Sequence, residues 1–205
     1  MRGEARHYAD EMVELHELPW PIRTERLVIR PLEDADLGAV WAFRRLPEVN
    51  RWLGRAPATR EAFDETYSDP KRRAITLVIE LPDAAGTSII GDLMLKIEDG
   101  WAQAEAARAA RGVQAELGWV LAPAYAGRGY ATEAVGAMID LCFGALGLRR
   151  VHAGCFAANE PSWRLMERLG MRREEESRQT ALHRSGEWMD GLNYALLADE
   201  WPGRR

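Results

Sequence analysis

The chain has 205 residues, of which 47% are hydrophobic and 29% charged, and its net charge is −5. These values are ordinary for a globular protein with a real core. No segment approaches the ~18–20 uninterrupted apolar residues of a membrane span. The acidic segment 1–21 lacks the apolar region of a secretory signal. We therefore expect a cytoplasmic protein with no membrane partner, made of an N-terminal extension (1–21) and one domain (22–205).

Cysteine and charge patterns exclude further classes of function. Cys142 and Cys155 fall inside predicted regular structure, where buried free thiols of a reducing compartment are expected. The four histidines and two cysteines lack the spacing of metal ligands, so no metal is expected. Basic residues occur in short runs without interleaved aromatics, and no nucleic-acid-binding motif is present. The acidic balance favours a cationic partner over a polyanion.

The first elements in the chain are a strand and two helices. "TERLVIRPL" (24–32) is rich in β-branched and aliphatic residues that alternate between two faces, which predicts a strand. Residues 33–46 change to helical spacing and are expected to end at Pro47. A second short helix is predicted over 59–70.

Three strands are predicted in the middle of the chain. "RAITLVIEL" (73–81) and "SIIGDLMLKIE" (88–98) are joined by a turn-rich segment, which predicts a hairpin. The Ala-rich segment 99–112 is expected to form a loop or a short surface helix without a function of its own. "VQAELGWVLAP" (113–123) is the third strand.

The last part alternates helices and strands. The order of elements, βααβββαβαββ, predicts a mixed α+β fold in which the strands on either side of the long helix are parallel and the others antiparallel. The expected elements are a helix over 127–146, a strand over 149–156, a helix over 159–171 and strands over 173–183 and 187–198.

The long helix follows directly on Gly127 and Gly129. The first N–H groups of a helix have no backbone partners, and the helix dipole adds positive potential, so this junction is a candidate anion site. Three ligands fit in principle. A P-loop string is absent, and a dinucleotide fingerprint has Thr132 where its third glycine should be. Coenzyme A is the third ligand.

The strings "ELGWVLAPAYAGRGYATEAV" and "NEPSWRLMERLGM" resemble the GNAT superfamily of acyl-CoA-dependent N-acetyltransferases. The opening "TERLVIRPLEDADL" and the ending "GEWMDGLNYAL" resemble its ribosomal-protein (Rim-type) branch. The resemblance covers about residues 22–198. It implies the GNAT fold: a central, mostly antiparallel sheet of about seven strands, flanked by helices, with one parallel pair splayed to hold coenzyme A.

The resemblance also implies which residues hold acetyl-CoA as cosubstrate. The family's pyrophosphate loop falls on Ala126–Ala131, with Ala126 in place of the usual glutamine or arginine. Main-chain groups of the preceding strand would bind the pantetheine arm, and Asn159 would contact it unless it is simply a helix N-cap. The implied set is Trp119, Val120, Leu121, Gly127, Arg128, Gly129, Tyr130, Ala131, Thr132, Asn159 and Ser162.

Three residues are candidates for catalysis, and some of them also have a non-catalytic interpretation. Glu116 opens the strand expected to hold the thioester and could act as a base through a water, or be a solvated strand-end carboxylate. Glu174 matches a glutamate of the Rim-type branch. Ser162 matches a serine that this branch can use near the thiolate, or makes only local hydrogen bonds. Many family members carry a tyrosine that acts as general acid later on this helix, where this chain has Met166.

The acceptor is expected to be an amine. An α-amine has a pKa near 7.7–8.0 and is far more often neutral at pH 7 than lysine, so a site without an obvious strong base suits a protein N-terminus. A small amine such as an aminoglycoside or polyamine stays open, as does an acyl-CoA-binding module with little catalysis. A homodimer is one option for the assembly. Trp41, Trp52 and Trp188 are the candidates to line the acceptor site, unless they pack in the core.

Overall fold

A computed structural model describes residues 15, 18, 20–84 and 86–203. The predicted extension over 1–21 lies almost entirely outside these residues. In the described part, no helix is long and apolar enough to cross a membrane.

One sheet organises the described chain, and its strands follow the order β1-β2-β3-β4-β5-β6-β8-β7. All neighbouring strands are antiparallel except β5 and β6, which are parallel as the crossover predicts. About seven strands were expected, and the additional one is a two-residue pairing at the sheet edge. The strands are β1 Ile22–Arg23, β2 Val28–Pro31, β3 Thr76–Asp83, β4 Gly86–Glu98, β5 Gln114–Leu121, β6 Arg150–Phe156, β7 Arg172–Leu182 and β8 Trp188–Leu197.

The helices agree with the predicted order but not with every predicted end. Pro47 does not stop the first helix, which ends at Arg44; it begins a short helix of its own, since proline fits a first helical position where no N–H is needed. The long helix was predicted to reach residue 146 but ends at Phe143, with Gly144 as its C-cap. The helices are α1 Leu37–Arg44, α2 Pro47–Asn50, α3 Arg60–Ser68, α4 Pro70–Arg73, α5 Tyr130–Phe143 and α6 Glu160–Arg168.

Helices cover both faces of the sheet and create two cores. On one face, α5 and α6 pack against inward side chains such as Ile29 and Leu117. On the other face, α1 and α3 bury Phe43 and Phe63 against Val120. Leu117 and Val120 are of opposite parity on β5, so they point to opposite faces of the sheet. The strand alternation in the sequence therefore places one helical layer on each side.

The parallel pair separates after three residues. β5 and β6 pair only at Gln114↔Arg150, Ala115↔Val151 and Glu116↔His152. Beyond these pairs, β5 stays on β4 to its end at Leu121, and β6 stays on β8 to its end at Phe156. A V-shaped gap opens between the carboxyl ends of the two strands, beside the N-termini of α5 and α6. Open sheets containing parallel strands bind ligands at such edges.

Candidate active site

A cleft of about 1460 Å³ opens at this gap and passes from one face of the sheet to the other. We call its two parts the loop end and the basin end. The loop end is lined by the segment before α5 and by the start of α6, including Gly127, Gly129–Thr132, Asn159 and Ser162. The basin end is lined by α1–α4 and by β4, including Arg44, Tyr67, Arg72, Asp92 and Met94.

The two glycines of the loop end are required by backbone conformation. Gly127 has φ +74° and Gly129 has φ +81°, in the left-handed region that favours glycine. A Cβ added at Gly127 would meet nothing within 4 Å, and one at Gly129 would meet only Arg26 Nη2 at 3.4 Å. The space in front of the loop is therefore open, and the backbone lies at its surface.

The main-chain N–H groups of the loop are free to bind a ligand. α5 starts after Gly129 without a side-chain cap, and Glu133 N is the first amide to bond back, to the Gly129 carbonyl at 3.0 Å. Within the described ranges, no hydrogen bond is made by the amides of 127–132. Unpaired amides at the positive end of a helix suit an anion with several oxygens. Of these six residues, Arg128 is exposed outside the cleft wall, whereas the other five line the cleft.

An ion pair that sequence analysis missed fixes the loop. Arg26, in the turn between β1 and β2, donates from Nε to Glu133 Oε2 at 2.7 Å and from Nη1 to the Arg128 carbonyl at 3.0 Å. Its guanidinium lies 4.6 Å from the centre of the Tyr130 ring. Thr24 Oγ1 donates to the other Glu133 oxygen at 2.5 Å. These contacts join segments more than 100 positions apart, so no local sequence pattern predicts them.

The Glu133 carboxylate is the centre of this anchor. Partial burial alone would raise the pKa of Glu133, but hydrogen bonds from Thr24 and from the Arg26 backbone and side chain outweigh it and lower the pKa below the ordinary 4.5. An ionised acid in the first turn also complements the helix dipole. The anchor therefore stabilises the start of α5 at neutral pH.

Strand β5 presents main-chain groups to the gap. The Val113 carbonyl accepts from Arg149 N on the β6 side, and Ala122 N donates to Ile90 O on the β4 side. Because main-chain direction alternates along a strand, Trp119 and Leu121 direct their amides and carbonyls into the gap. All three residues predicted from this strand line the cleft. Val120 does so differently, since its main chain faces β4 and its side chain lies on the basin face.

The start of α6 brings Asn159 and Ser162 into the loop end. Asn159 occupies the N-cap position, but its side chain makes no capping bond, and its carbonyl accepts from Ser162 N at 3.1 Å. The side-chain amide therefore does not serve as a helix cap. The Ser162 hydroxyl lies beside the Cys155 thiol, whose pKa is raised by burial and lowered less strongly by Ser162. Met166 is fully buried in the core, and its thioether has no proton to donate, so it cannot act as an acid.

The two glutamates proposed for catalysis lie outside the cleft wall. Glu116 sits at the base of the gap, opposite His152 in the last pair before the strands separate. Glu174 lies on the edge strand and accepts from Arg150 at 2.5 Å and Arg172 at 3.0 Å. Partial burial raises the pKa of Glu174, but both arginines outweigh it and lower the pKa. The two guanidiniums hold the Glu174 carboxylate near the start of β6, whereas the chemistry is expected at the other end of that strand. Glu174 is therefore a poor candidate for the base.

Of the three tryptophans predicted at the acceptor site, only Trp52 lines the cleft. It packs between Phe156 and His183, with ring centres 5.9 and 5.6 Å away. Trp41 packs against Phe63 in the core under α1 and α3, because its helical position points it there. Trp188 is 57% exposed at the start of β8. The structure therefore does not bring Trp41 or Trp188 to the site.

The basin end contains polar residues that the sequence did not mark. Arg44 on α1 forms a bidentate salt bridge with Asp92 on β4, with Nε–Oδ2 at 2.6 Å and Nη2–Oδ1 at 2.5 Å. Tyr67 from α3 and Arg72 from α4 stand next to this pair. These four residues come from four different elements, α1, α3, α4 and β4. In the described part, no group of three or more His, Cys, Asp or Glu residues could hold a metal ion.

Comparison with known proteins agrees with this geometry. The acetyltransferase (GNAT) domain family matches residues 26–172. The chain is 30% identical to YnaD of Bacillus subtilis (strain 168), an uncharacterized N-acetyltransferase, over 88% of this chain and 98% of the relative. It is 29% identical to YdaF of the same organism, which carries a provisional name as a ribosomal N-acetyltransferase, over 88% and 96%.

A solved structure shares the architecture over nearly the same extent. The crystal structure of a GNAT-family acetyltransferase from Bacillus anthracis superposes with a TM-score of 0.73 at 29% identity. The match covers 88% of this chain and all of that one. The eight-stranded order, the single parallel pair and the flanking helices described above are therefore those of an established fold.

Proposed function

Since the chain belongs to the GNAT family of acetyltransferases, we propose that it transfers an acetyl group from acetyl-CoA directly to the α-amine of a protein N-terminus. The family establishes an acetyltransferase that uses acetyl-CoA; the identity of the acceptor is the proposal. The observation that carries the acetyl-CoA assignment is the row of unpaired amides over 127–132 at the positive end of α5. A diphosphate presents several oxygens to such amides at once.

The residues present fit the diphosphate and the pantetheine arm of coenzyme A. Gly127, Gly129 and the first turn of α5 would hold the diphosphate. Trp119 and Leu121 would bind the pantetheine arm through main-chain groups that face the gap, and the free Asn159 amide would meet it from the opposite wall. The thioester of the bound cosubstrate supplies an activated acetyl group.

The chain's own residues would then assist acyl transfer in three ways. An N–H of Trp119 or Leu121 would donate to the thioester oxygen, where negative charge develops. The Ser162 hydroxyl, which lies beside Cys155 and lines the cleft, would donate its proton to the leaving thiolate. Glu116, at the base of the gap, would accept the amine proton through a water. Glu174 is the weaker candidate because two arginines hold its carboxylate.

Two observations support an N-terminal α-amine over a more basic amine. Among the described residues, no strong base stands in the cleft wall, and an α-amine needs little help because a useful fraction is neutral at pH 7. The relative YdaF carries the provisional ribosomal name, and the ends of the present domain resemble the Rim-type branch. We place the enzyme in that branch on this basis.

Thiol release from acetyl-CoA tests the assignment. The purified protein is assayed with a peptide bearing a free N-terminus, the same peptide with a blocked N-terminus and one lysine, spermidine, and an aminoglycoside. We expect turnover of the free N-terminal peptide to exceed that of the others, with mass spectrometry locating the acetyl group on the α-nitrogen. Turnover of spermidine or the aminoglycoside alone would reject the N-terminal acceptor. Acetyl-CoA binding without release by any amine would reject catalysis.

A further inference from the structure

Two buried polar atoms at the basin end have no hydrogen-bond partner. They are the Tyr67 hydroxyl and Arg72 Nε, the only such side-chain atoms within the described ranges. Tyr67 is 2% exposed, and the Arg72 guanidinium carbon lies 5.6 Å from its ring centre. Both residues line the cleft. Leaving a buried donor unpaired destabilises a protein, so such a pair in a binding cleft requires an explanation.

Among the described residues, neither of these two atoms reaches a partner with hydrogen-bond geometry. Asp92 is the nearest buried carboxylate, and both of its oxygens are taken by Arg44. No ion pair is formed by Arg72 among the described residues. Its guanidinium lies beside the Tyr67 side chain, where its charge favours the ionised phenol, and its backbone carbonyl accepts from Thr76 Oγ1 at 2.7 Å. The floor beneath is apolar, because the Met94 side chain lies in contact with Gly118 on the neighbouring strand.

The basin end also carries one positive charge in excess at its base. Arg44 and Asp92 neutralise each other, and Arg72 is left over. The rim has three exposed carboxylates and two exposed cations, all of which water screens. These rim residues are Glu48, Glu65, Asp69, Arg55 and Lys71. The net field at depth therefore attracts an anionic group.

The basin lies next to the expected site of acetyl transfer. Asp92 is directly opposite Val120 in the register of β4 and β5, and Val120 is on the part of β5 that borders the gap. Burial, with a further contribution from Asp92, raises the pKa of Tyr67, so the phenol remains a neutral donor at physiological pH. A molecule whose amine enters the gap from this face therefore passes both unpaired donors.

We propose that Tyr67 and Arg72 bind a carboxylate of the acceptor, so that the enzyme prefers amines whose molecule also carries a carboxylate, such as peptides with an acidic residue near the N-terminus. This inference rests on the proposed function and specifies its substrate class. A carboxylate accepts from a phenol and a guanidinium at once and neutralises the excess charge. Polycations such as polyamines would meet that charge as repulsion.

The test compares peptide pairs that differ only in charge. Acetyl transfer is measured for Ala-Glu and Ala-Gln peptides, and for Ala-Asp and Ala-Asn peptides, with blocked C-termini. We expect kcat/KM to be about tenfold higher for at least one acidic member, the factor given by a hydrogen bond to a charged group. Tyr67→Phe and Arg72→Gln should each reduce that ratio toward one. Lys71→Gln removes a neighbouring exposed cation and should keep the ratio within about twofold, since exposed charges are screened.

The outcomes separate this inference from the proposed function. Equal kcat/KM for acidic and amide peptides, or an acidic preference that Lys71→Gln removes as fully as Arg72→Gln, overturns the carboxylate site while N-terminal acetylation stands. If no peptide is acetylated, the proposed function fails. Calorimetry on the protein saturated with CoA then decides the carboxylate site: tighter binding of the acidic peptide, lost in Arg72→Gln, supports it, and equal binding rejects it.

Discussion

The two ends of the cleft are built on different physical principles. The loop end offers main-chain amides over 127–132, held open by two glycines of positive φ. The basin end offers side chains from α1, α3, α4 and β4, assembled around the buried Arg44–Asp92 pair. Main-chain binding depends on local conformation, whereas side-chain binding depends on the packing of distant segments. Mutations of the loop glycines should therefore act mainly on ligand affinity, and mutations of the buried Arg44–Asp92 pair mainly on stability.

The largest effect is expected from breaking the buried pair. Asp92→Asn leaves the Arg44 guanidinium uncompensated at 10% side-chain exposure and should lower the free energy of unfolding by about 3–5 kcal/mol. Urea denaturation measures the loss. Arg60 and Asp64 form a matched control, since both are 41% exposed on α3 and Asp64→Asn should cost less than about 0.5 kcal/mol. Equal losses for the two variants would show that the buried pair is no more important than the exposed one.

The next effect tests the loop end. Gly129→Asp places a carboxylate where the diphosphate should bind and should weaken CoA affinity by ~100-fold, because attraction becomes repulsion. Gly147 also has positive φ, +60°, and open space around it, but lies outside the cleft wall. Gly147→Asp therefore imposes similar backbone strain with CoA affinity unchanged. Calorimetry that finds the same affinity in both variants would contradict the assignment of the diphosphate site.

Removing the charge of Glu133, the centre of the loop anchor, should lower stability moderately and in a pH-dependent way. Glu133→Gln loses the charge-assisted bonds from Arg26 and should destabilise the fold by about 1–2 kcal/mol at pH 7. Because the folded-state pKa of Glu133 is lowered, its contribution is present above the unfolded value and is lost as pH falls through the folded one. The stability difference between wild type and variant should thus shrink below about pH 4.5. A difference that stays constant from pH 7 to 3 would rule out the ionised anchor.

The smallest effect concerns Asn159. Its side chain makes no capping bond, so Asn159→Ala should leave stability nearly unchanged while weakening CoA binding several-fold, the effect of one lost hydrogen bond. Thr59 is the opposite case, since its side chain accepts from Ala62 N at 3.2 Å. Thr59→Ala should cost about 1 kcal/mol of stability without changing CoA affinity. Thermal denaturation and calorimetry on both variants measure these opposite effects on stability and CoA affinity. A stability loss in Asn159→Ala without weaker CoA binding would show that Asn159 is a helix cap.

The difference between the two ends also explains which predictions succeeded. The order of strands β2 to β8 and of the four longer helices, and the parallel crossover, were predicted correctly, because each follows from residue spacing. The prediction for Pro47 was wrong because proline both ends and begins helices, and only the path of the following chain decides between them. Trp41 was predicted at the acceptor site, but its helical position turns it into the core.

The sequence by itself determined the left-handed glycines before α5, the alternation of β5 and the family to which the chain belongs, since these depend on neighbours within a few positions. Only the tertiary structure decided that β5 and β6 separate after Glu116, that Arg26 holds Glu133, and that Asp92 lies beside Tyr67 and Arg72. Such contacts join residues from about 20 to more than 100 positions apart. They form only when both helical layers pack against one sheet, and no local pattern encodes that packing.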